Sequence, residues 1–264
     1  MERGSGEMVG FDTPHSAQIW NYWMGGTDNY PVDRAAGDAF AATYPAIGFQ
    51  VKQSRQFLIR AVRHLAGECG IRQFLDIGTG LPTMENTHEV AQSVAPDSKI
   101  VYVDNDPLVL EHARTLLTNT TPEGVTVFLD ADAHDPDAVI ADARNVLNFN
   151  EPITVLYMGI LGHVPELDQA RAIVARTMAA TVPGSYLVHW DSTNTSEARR
   201  RATANYNKTG AVPYNLRAPD EIARLYEGLD VLEPGVVSIS QWRQPDTGVG
   251  LVDAYGAVAR KPAA

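Results

Sequence analysis

The 264-residue chain is predicted to fold as an α/β protein, a mostly parallel sheet with helices on both faces and an N-terminal helical extension. Three observations carry this prediction. From residue 71 onward, short apolar runs alternate with amphipathic helical stretches, the pattern of consecutive βαβ units. The first apolar run ends in a glycine turn, and the next two end in aspartates. Residues 13–66, by contrast, carry helical patterns only.

The elements follow in order. Ile19, Trp20 and Trp23 have helical spacing, and Gly25-Gly26 breaks it. Asp33 to Tyr44 is a second helix, and the stripe Phe57, Leu58, Ala61, Val62, Leu65 marks a third. Strands are expected at 73–77, 99–103, 125–129, 153–158 and 185–190. Helices are expected at 86–94, 107–117, 136–147 and 168–180; Pro107 suits the first turn of its helix. The tail has a helix at 219–226, then β-like segments at 231–242 and 251–259 joined by residues 244–248, which suggests a closing antiparallel hairpin. Residues 71–264 then form one domain, and 1–70 an extension placed to lie over its active edge.

Composition narrows the function. Apolar residues make up 44% of the chain, enough for a real core, and the formal net charge is -11. An acidic surface repels phosphate backbones, so nucleic acid is not the expected partner. The one basic run, Arg199-Arg200-Arg201, reads as a solvated helix face. Cys69 is the single cysteine and reads as structural. No apolar run approaches the ~20 residues of a membrane span, and Met1 to Gly10 lacks a signal-peptide core. A cytoplasmic protein with a small-molecule partner is expected. His15 and His88 show no metal-ligand spacing, so no metal is expected.

The chemistry concentrates at Asp76-Ile77-Gly78-Thr79-Gly80. Ligands of open α/β sheets bind beyond the carboxyl ends of the strands. Glycines at 78 and 80 allow a sharp bend and a close approach to a ligand. Asp104, 24 positions after Gly80, ends the second strand, where a carboxylate suits the hydroxyls of a ribose. These features serve two cofactor classes. A dinucleotide needs G-x-G-x-x-G, but here the third glycine is replaced by Thr83, and Pro82 spoils a tight phosphate cradle. S-adenosylmethionine carries no phosphate and has a cationic sulfonium, which suits Asp76. Asp104 and Asp132 at later strand ends favour the same ligand; the bland alternative is that they only cap helices.

At these residues the chain resembles class I S-adenosylmethionine-dependent methyltransferases. More closely, it is similar to a bacterial methyltransferase family first catalogued as a domain of unknown function. The likeness runs over nearly the whole chain. It is carried by the segment Pro14 to Tyr30 (PHSAQIWNYWMGGTDNY), by Phe74 to Thr83 (FLDIGTGLPT), by Asn86 to Gln92 (NTHEVAQ) and by Val101 to Pro107 (VYVDNDP). The first segment is the specific one. The resemblance implies a Rossmann-like seven-stranded sheet with its last strand antiparallel. It also implies that Asp76, Gly78, Thr79 and Gly80 line the methionine part of the cofactor, that Asp104 holds the ribose with Asn105 beside the adenine, and that Asp132 and Ala133 flank the adenine. Met158 and Gly159 are implied to pass under the sulfonium. Such families often carry paired histidines after the fourth strand; Leu161-Gly162-His163 keeps one, which leaves a non-catalytic cofactor-binding protein as an alternative.

Methyl transfer needs mainly alignment of the acceptor, exclusion of water and, where required, removal of a proton. His163, just past the fourth strand, is the candidate base, or else a structural histidine. His189 reads as structural, and Asp191 as an acceptor contact or a cap. Trp20 and Trp23 read as core aromatics, while Tyr22, Asn29 and Tyr30 are candidates for a lid. Arg55 is a candidate partner for the cofactor carboxylate, because a guanidinium fits a carboxylate fork. Residues 196–217 are a candidate acceptor cover, with Asn205, Tyr206 and Tyr214 as contacts.

Overall fold

The structure, a computed structural model, describes residues 12–81, 85–110, 118–244 and 248–263. Pro82, Thr83, residues 111–117 of the helix expected over 107–117, the centre of the expected tail turn at 245–247 and the segment Met1 to Gly10 lie outside the described residues.

Three helices come first: α1 (Ser16–Trp23), α2 (Pro31–Thr43) and α3 (Ile47–Gly67). Then β1 (Gln73–Ile77), α4 (Thr87–Val94), β2 (Lys99–Asp104), β3 (Val125–Asp130), α5 (Pro136–Ala143) and β4 (Thr154–Met158) alternate. A 3-10 turn (Leu161–His163) leads into α6 (Leu167–Ala180), β5 (Tyr186–Ser192), α7 (Glu197–Tyr206) and α8 (Pro219–Ala223), which a second 3-10 turn (Arg224–Tyr226) follows. The short strands β6 (Asp230–Val231) and β7 (Val237–Ser238) precede β8 (Ala254–Arg260).

The sheet runs β3-β2-β1-β4-β5-β8-β6, seven strands in line, with β7 also paired to β8. β1 to β5 are mutually parallel, and β8 is antiparallel to β5, β6 and β7. The expected doubly covered sheet with its antiparallel strand is therefore present. The continuous strand expected over 231–242 is not. Pro234 has no amide to donate and Gly235 takes a φ of 91°, so the ladder breaks into two short pieces along β8. Residues after Ser238 turn instead of extending.

The period of two along β1 sorts the layers. Leu75 and Ile77 pack with α5 and α6 on one face; Phe74 points to the other, where α3 and α4 cover it. Of residues 1–70, α3 therefore shares the core of the sheet through Phe57, Val62 and Leu65. The other helices form a smaller cluster beyond the strand ends, where Ile19 of α1 and Phe40 of α2 meet Ala202 and Tyr206 of α7.

This cover is anchored by Asp33, which has no exposed surface. Its two carboxylate oxygens accept from the His15 amide and the Tyr30 amide, each at 2.8 Å, so one side chain caps α2 and pins the start of α1. Asp33→Ala strands both amides and is expected to cost about 1–3 kcal/mol, read as a lower urea midpoint with an unchanged m-value.

Candidate active site at the carboxyl ends of the strands

The strand order reverses between β1 and β4, and a cavity of about 380 Å³ opens there. Ligand pockets typically run ~300–1,000 Å³. Of the residues singled out in the sequence, Arg55, Asp76, Gly78, Thr79, Gly80, Asp104, Asn105, Asp132, Ala133, Met158, Gly159 and His163 all line it.

The glycine turn is held from two sides. Gly78 has a φ of 73° and donates to the Val103 carbonyl at 2.8 Å; a Cβ there would collide with the Ile160 side chain. Gly80, at φ 63°, donates to Asp104 Oδ2 at 2.9 Å, and the Asp106 amide donates to Asp104 Oδ1 at 3.0 Å. Each carboxylate oxygen keeps a second lone pair for a ligand. Burial raises the Asp104 carboxyl above its usual range, against the pull of these amides.

Asp76 is buried and lies on the α3/α4 side of β1. Thr87 Oγ1 donates to it at 2.6 Å. Burial pushes its carboxyl up to about 6, although the Thr87 hydroxyl and the Arg55 guanidinium pull it down. At the end of β3, Asp132 is exposed and faces the His134 amide and ring at 2.9 and 2.8 Å. Burial works to raise Asp132, but the His134 contacts prevail and hold it low.

His163 sits in the 3-10 turn. Its Nδ1 lies 2.9 Å from the Pro213 carbonyl, which can only accept, so Nδ1 carries the proton and Nε2 keeps the basic lone pair. Burial lowers the imidazole pKa below the ordinary value. The ring is therefore neutral at pH 7. The turn is bolted by Asp191, which has no exposed surface. Asp191 accepts from the Gly162 amide at 3.1 Å and the Tyr214 hydroxyl at 2.9 Å, and it contacts His189 Nε2 at 3.1 Å and Arg217 Nη1 at 3.4 Å. Arg217 in turn donates to the Leu161 and Val164 carbonyls at 2.8 and 2.6 Å. His189 is thus structural, as read, and Asp191 fixes the cavity wall from behind.

The N-terminal candidates separate by helix phase. Trp20 and Trp23, read as core aromatics, line the cavity; Tyr22 and Asn29 do not. The Tyr22 hydroxyl points away to Asp38, 2.8 Å distant, and Asn29 Nδ2 ties Asn21 to the Gly26 carbonyl at 2.9 Å each. Tyr206 and Tyr214 line the cavity, whereas Asn205 is exposed. The reading of residues 199–201 as one solvated face is corrected. Arg200 and Arg201 are exposed, but Arg199 is buried with Ala202, Thr203 and Tyr206 on the inward side of α7. The spacing 199, 202, 203, 206 is the helical signal that exposes this residue.

Comparison with known proteins gives the family and the fold. The sequence profile of a family described as S-adenosyl methyltransferase matches residues 3–262. The solved structure of a DUF574 family protein from Streptomyces avermitilis is 42% identical, covers 96% of this chain and 99% of its own, and superposes with a TM-score of 0.90. A Thermobifida fusca protein assigned to the methyltransferases is 36% identical over 96% and 97% of the two chains, with a TM-score of 0.88. Human N-acetylserotonin methyltransferase, solved in complex with S-adenosylmethionine, shares the fold at 14% identity over 92% of this chain and 62% of its own, TM-score 0.51. No curated protein matches the sequence.

Asp191→Ala leaves the buried Arg217 guanidinium without its carboxylate. A loss of about 3–5 kcal/mol is expected in denaturant unfolding, with a smaller loss for Asp191→Asn, which still accepts hydrogen bonds.

Proposed function

Because the chain belongs to the S-adenosyl methyltransferase family, we propose that it methylates a small-molecule acceptor held between Trp20, Trp190 and α7. The observation that carries this reading is one continuous cavity. It joins the strand-end carboxylates to an aromatic lobe beneath α1, α2 and α7. The family sets aside the dinucleotide alternative.

The residues fit the cofactor. Among the described residues nothing lies within 4 Å of the side of Gly80 that a Cβ would occupy, which leaves the backbone open to a ligand there. The groups around it, Asp76, Asp104 and Asp132, are acidic, which suits a cation. When bound, S-adenosylmethionine supplies a methyl group already activated on a positively charged sulfur. Asp76 would hold the ammonium, Arg55 the carboxylate, Asp104 the ribose, and Asp132 with Ala133 the adenine. Met158 and Gly159 form the floor next to Trp190; the Gly159 amide donates to the Trp190 carbonyl at 2.8 Å. His163 Nε2 takes a proton from the acceptor where its chemistry requires it. Trp20 packs on Trp190 with ring centroids 5.8 Å apart and closes the lobe against water. Alignment and dehydration of this kind are the main contribution a protein makes to such a reaction.

Asp104→Ala is expected to weaken S-adenosylmethionine binding roughly tenfold, about 1.4 kcal/mol, in calorimetric titration; an unchanged affinity removes Asp104 from the ribose role. The pH profile gives a second check. Asp76 is ionised only above about 6, and protonation removes the anion that faces the cationic ligand. Affinity for S-adenosylmethionine is therefore expected to fall as the pH drops through that value. Asp76→Asn is expected to bind weakly and to lose this bend.

A further inference from the structure

Arg199 is the costliest side chain in the aromatic lobe. It is 5% exposed and lines the cavity. Its Nη2 donates to Ser192 Oγ at 2.7 Å, but Nε and Nη1 are buried with no hydrogen-bond partner. Among the described residues no carboxylate lies within ion-pairing distance of it. Asp253, the acid on the same side, is occupied by Thr195 and Ser196 at 2.7 and 2.6 Å. The guanidinium rests instead on π faces, 5.0 Å from the Phe40 centroid and 5.4 Å from that of Tyr44. It also sits in the first turn of α7, where the helix dipole opposes a cation and favours an anion.

A buried guanidinium with no carboxylate in pairing distance and two unsatisfied nitrogens is expensive, and this one belongs to a side chain that borders the cavity, where a ligand anion would offset that cost. One turn further along the same face, the buried Thr203 hydroxyl lacks a partner too, and it also lines the cavity. Around the Arg199 side chain the walls are aromatic. Trp23 meets Phe40 at 5.0 Å between centroids, and Phe40 meets Tyr206 edge-on at 6.4 Å. Inclined rings of this kind favour contact with an aromatic body.

We propose that the methyl acceptor is a planar aromatic carboxylate, its carboxylate paired with Arg199 and Thr203 and its ring held among Trp20, Trp23, Phe40 and Tyr206. This rests on the reading of the cavity as a methyltransferase site. Arg55 lies on the other side of the cavity, beside Asp76, so the two arginines serve two different carboxylates: Arg55 that of the cofactor and Arg199 that of the acceptor.

The test uses the whole protein saturated with S-adenosylhomocysteine, titrated calorimetrically with naphthoate and with its neutral isostere naphthamide. Naphthoate is expected to bind roughly tenfold or more tightly than naphthamide, because only the carboxylate answers the guanidinium. In Arg199→Gln this preference is expected to vanish while affinity for S-adenosylhomocysteine stays within about twofold. Equal binding of the two probes by the wild-type protein, or no binding of naphthoate, overturns the proposal, and neither reading needs a variant that folds. A preference that survives in Arg199→Gln overturns the role of Arg199, and a purely structural arginine would lower stability without changing the ratio. Failure of S-adenosylhomocysteine to bind at the outset speaks against the methyltransferase reading itself. A loss of S-adenosylhomocysteine binding confined to Arg199→Gln assigns Arg199 to the cofactor and overturns the proposal.

Discussion

A carboxylate cut off from water must be surrounded by donors, and the far wall of the cavity is built to satisfy that constraint at Asp191. The residue is the penultimate one of β5 and has no exposed surface. Its neighbours come from three places in the chain: His189 on the same strand, the Gly162 turn after β4, and Tyr214 with Arg217 after α7. Meeting the needs of one buried charge therefore fixes the turn that carries His163 and the segment after α7 that carries Tyr214. The Tyr214 ring, held this way, sits 5.1 Å from the His163 ring, nearly perpendicular to it. Gly162 is needed at that crossing, because a Cβ would enter the Tyr214 ring.

The opposite wall depends on a looser principle. Asp104 ties the end of β2 to the glycine turn through the Gly80 amide, so the two loops that border the cavity are directly joined. The N-terminal helices are fastened to the same rim, since His15 Nδ1 lies 3.5 Å from Asp106 Oδ2. A partly exposed pair at this distance contributes little to stability. Its use here is geometric: the cover is connected to the cofactor loop as well as to the core. The cavity thus has one acidic wall, one wall built around Asp191 and a roof of helices.

Much of this was legible in the sequence, and the parts that were not share a cause. The glycine turn and the strand-end aspartates could be read because their chemistry is local: Gly78, Gly80 and Asp104 act through backbone conformation and chain position. The paired helices and strands followed from periodicity for the same reason. What the sequence did not display was which side of a helix meets a partner distant in sequence. Trp20 and Trp23 face the cavity and Tyr22 turns away, one residue apart, because α1 docks on Trp190, 167 positions or more downstream. Arg199 was hidden in a run of three arginines whose other members are solvated. Its phase with Ala202, Thr203 and Tyr206 was visible, but the run of charge outweighed it. The broken strand at Pro234-Gly235 was a local signal that the apolar pattern around it obscured.

The account as a whole states that one cavity holds S-adenosylmethionine along the strand ends and directs its sulfur toward the aromatic lobe. A crystal structure of the protein with S-adenosylhomocysteine tests this most directly. The account predicts the ribose hydroxyls on Asp104, the adenine beside Asp132 and Ala133, and the sulfur facing Trp190 with the Arg199 lobe still open. A ligand whose ribose lies away from Asp104, or whose own carboxylate fills the Arg199 lobe, would contradict it.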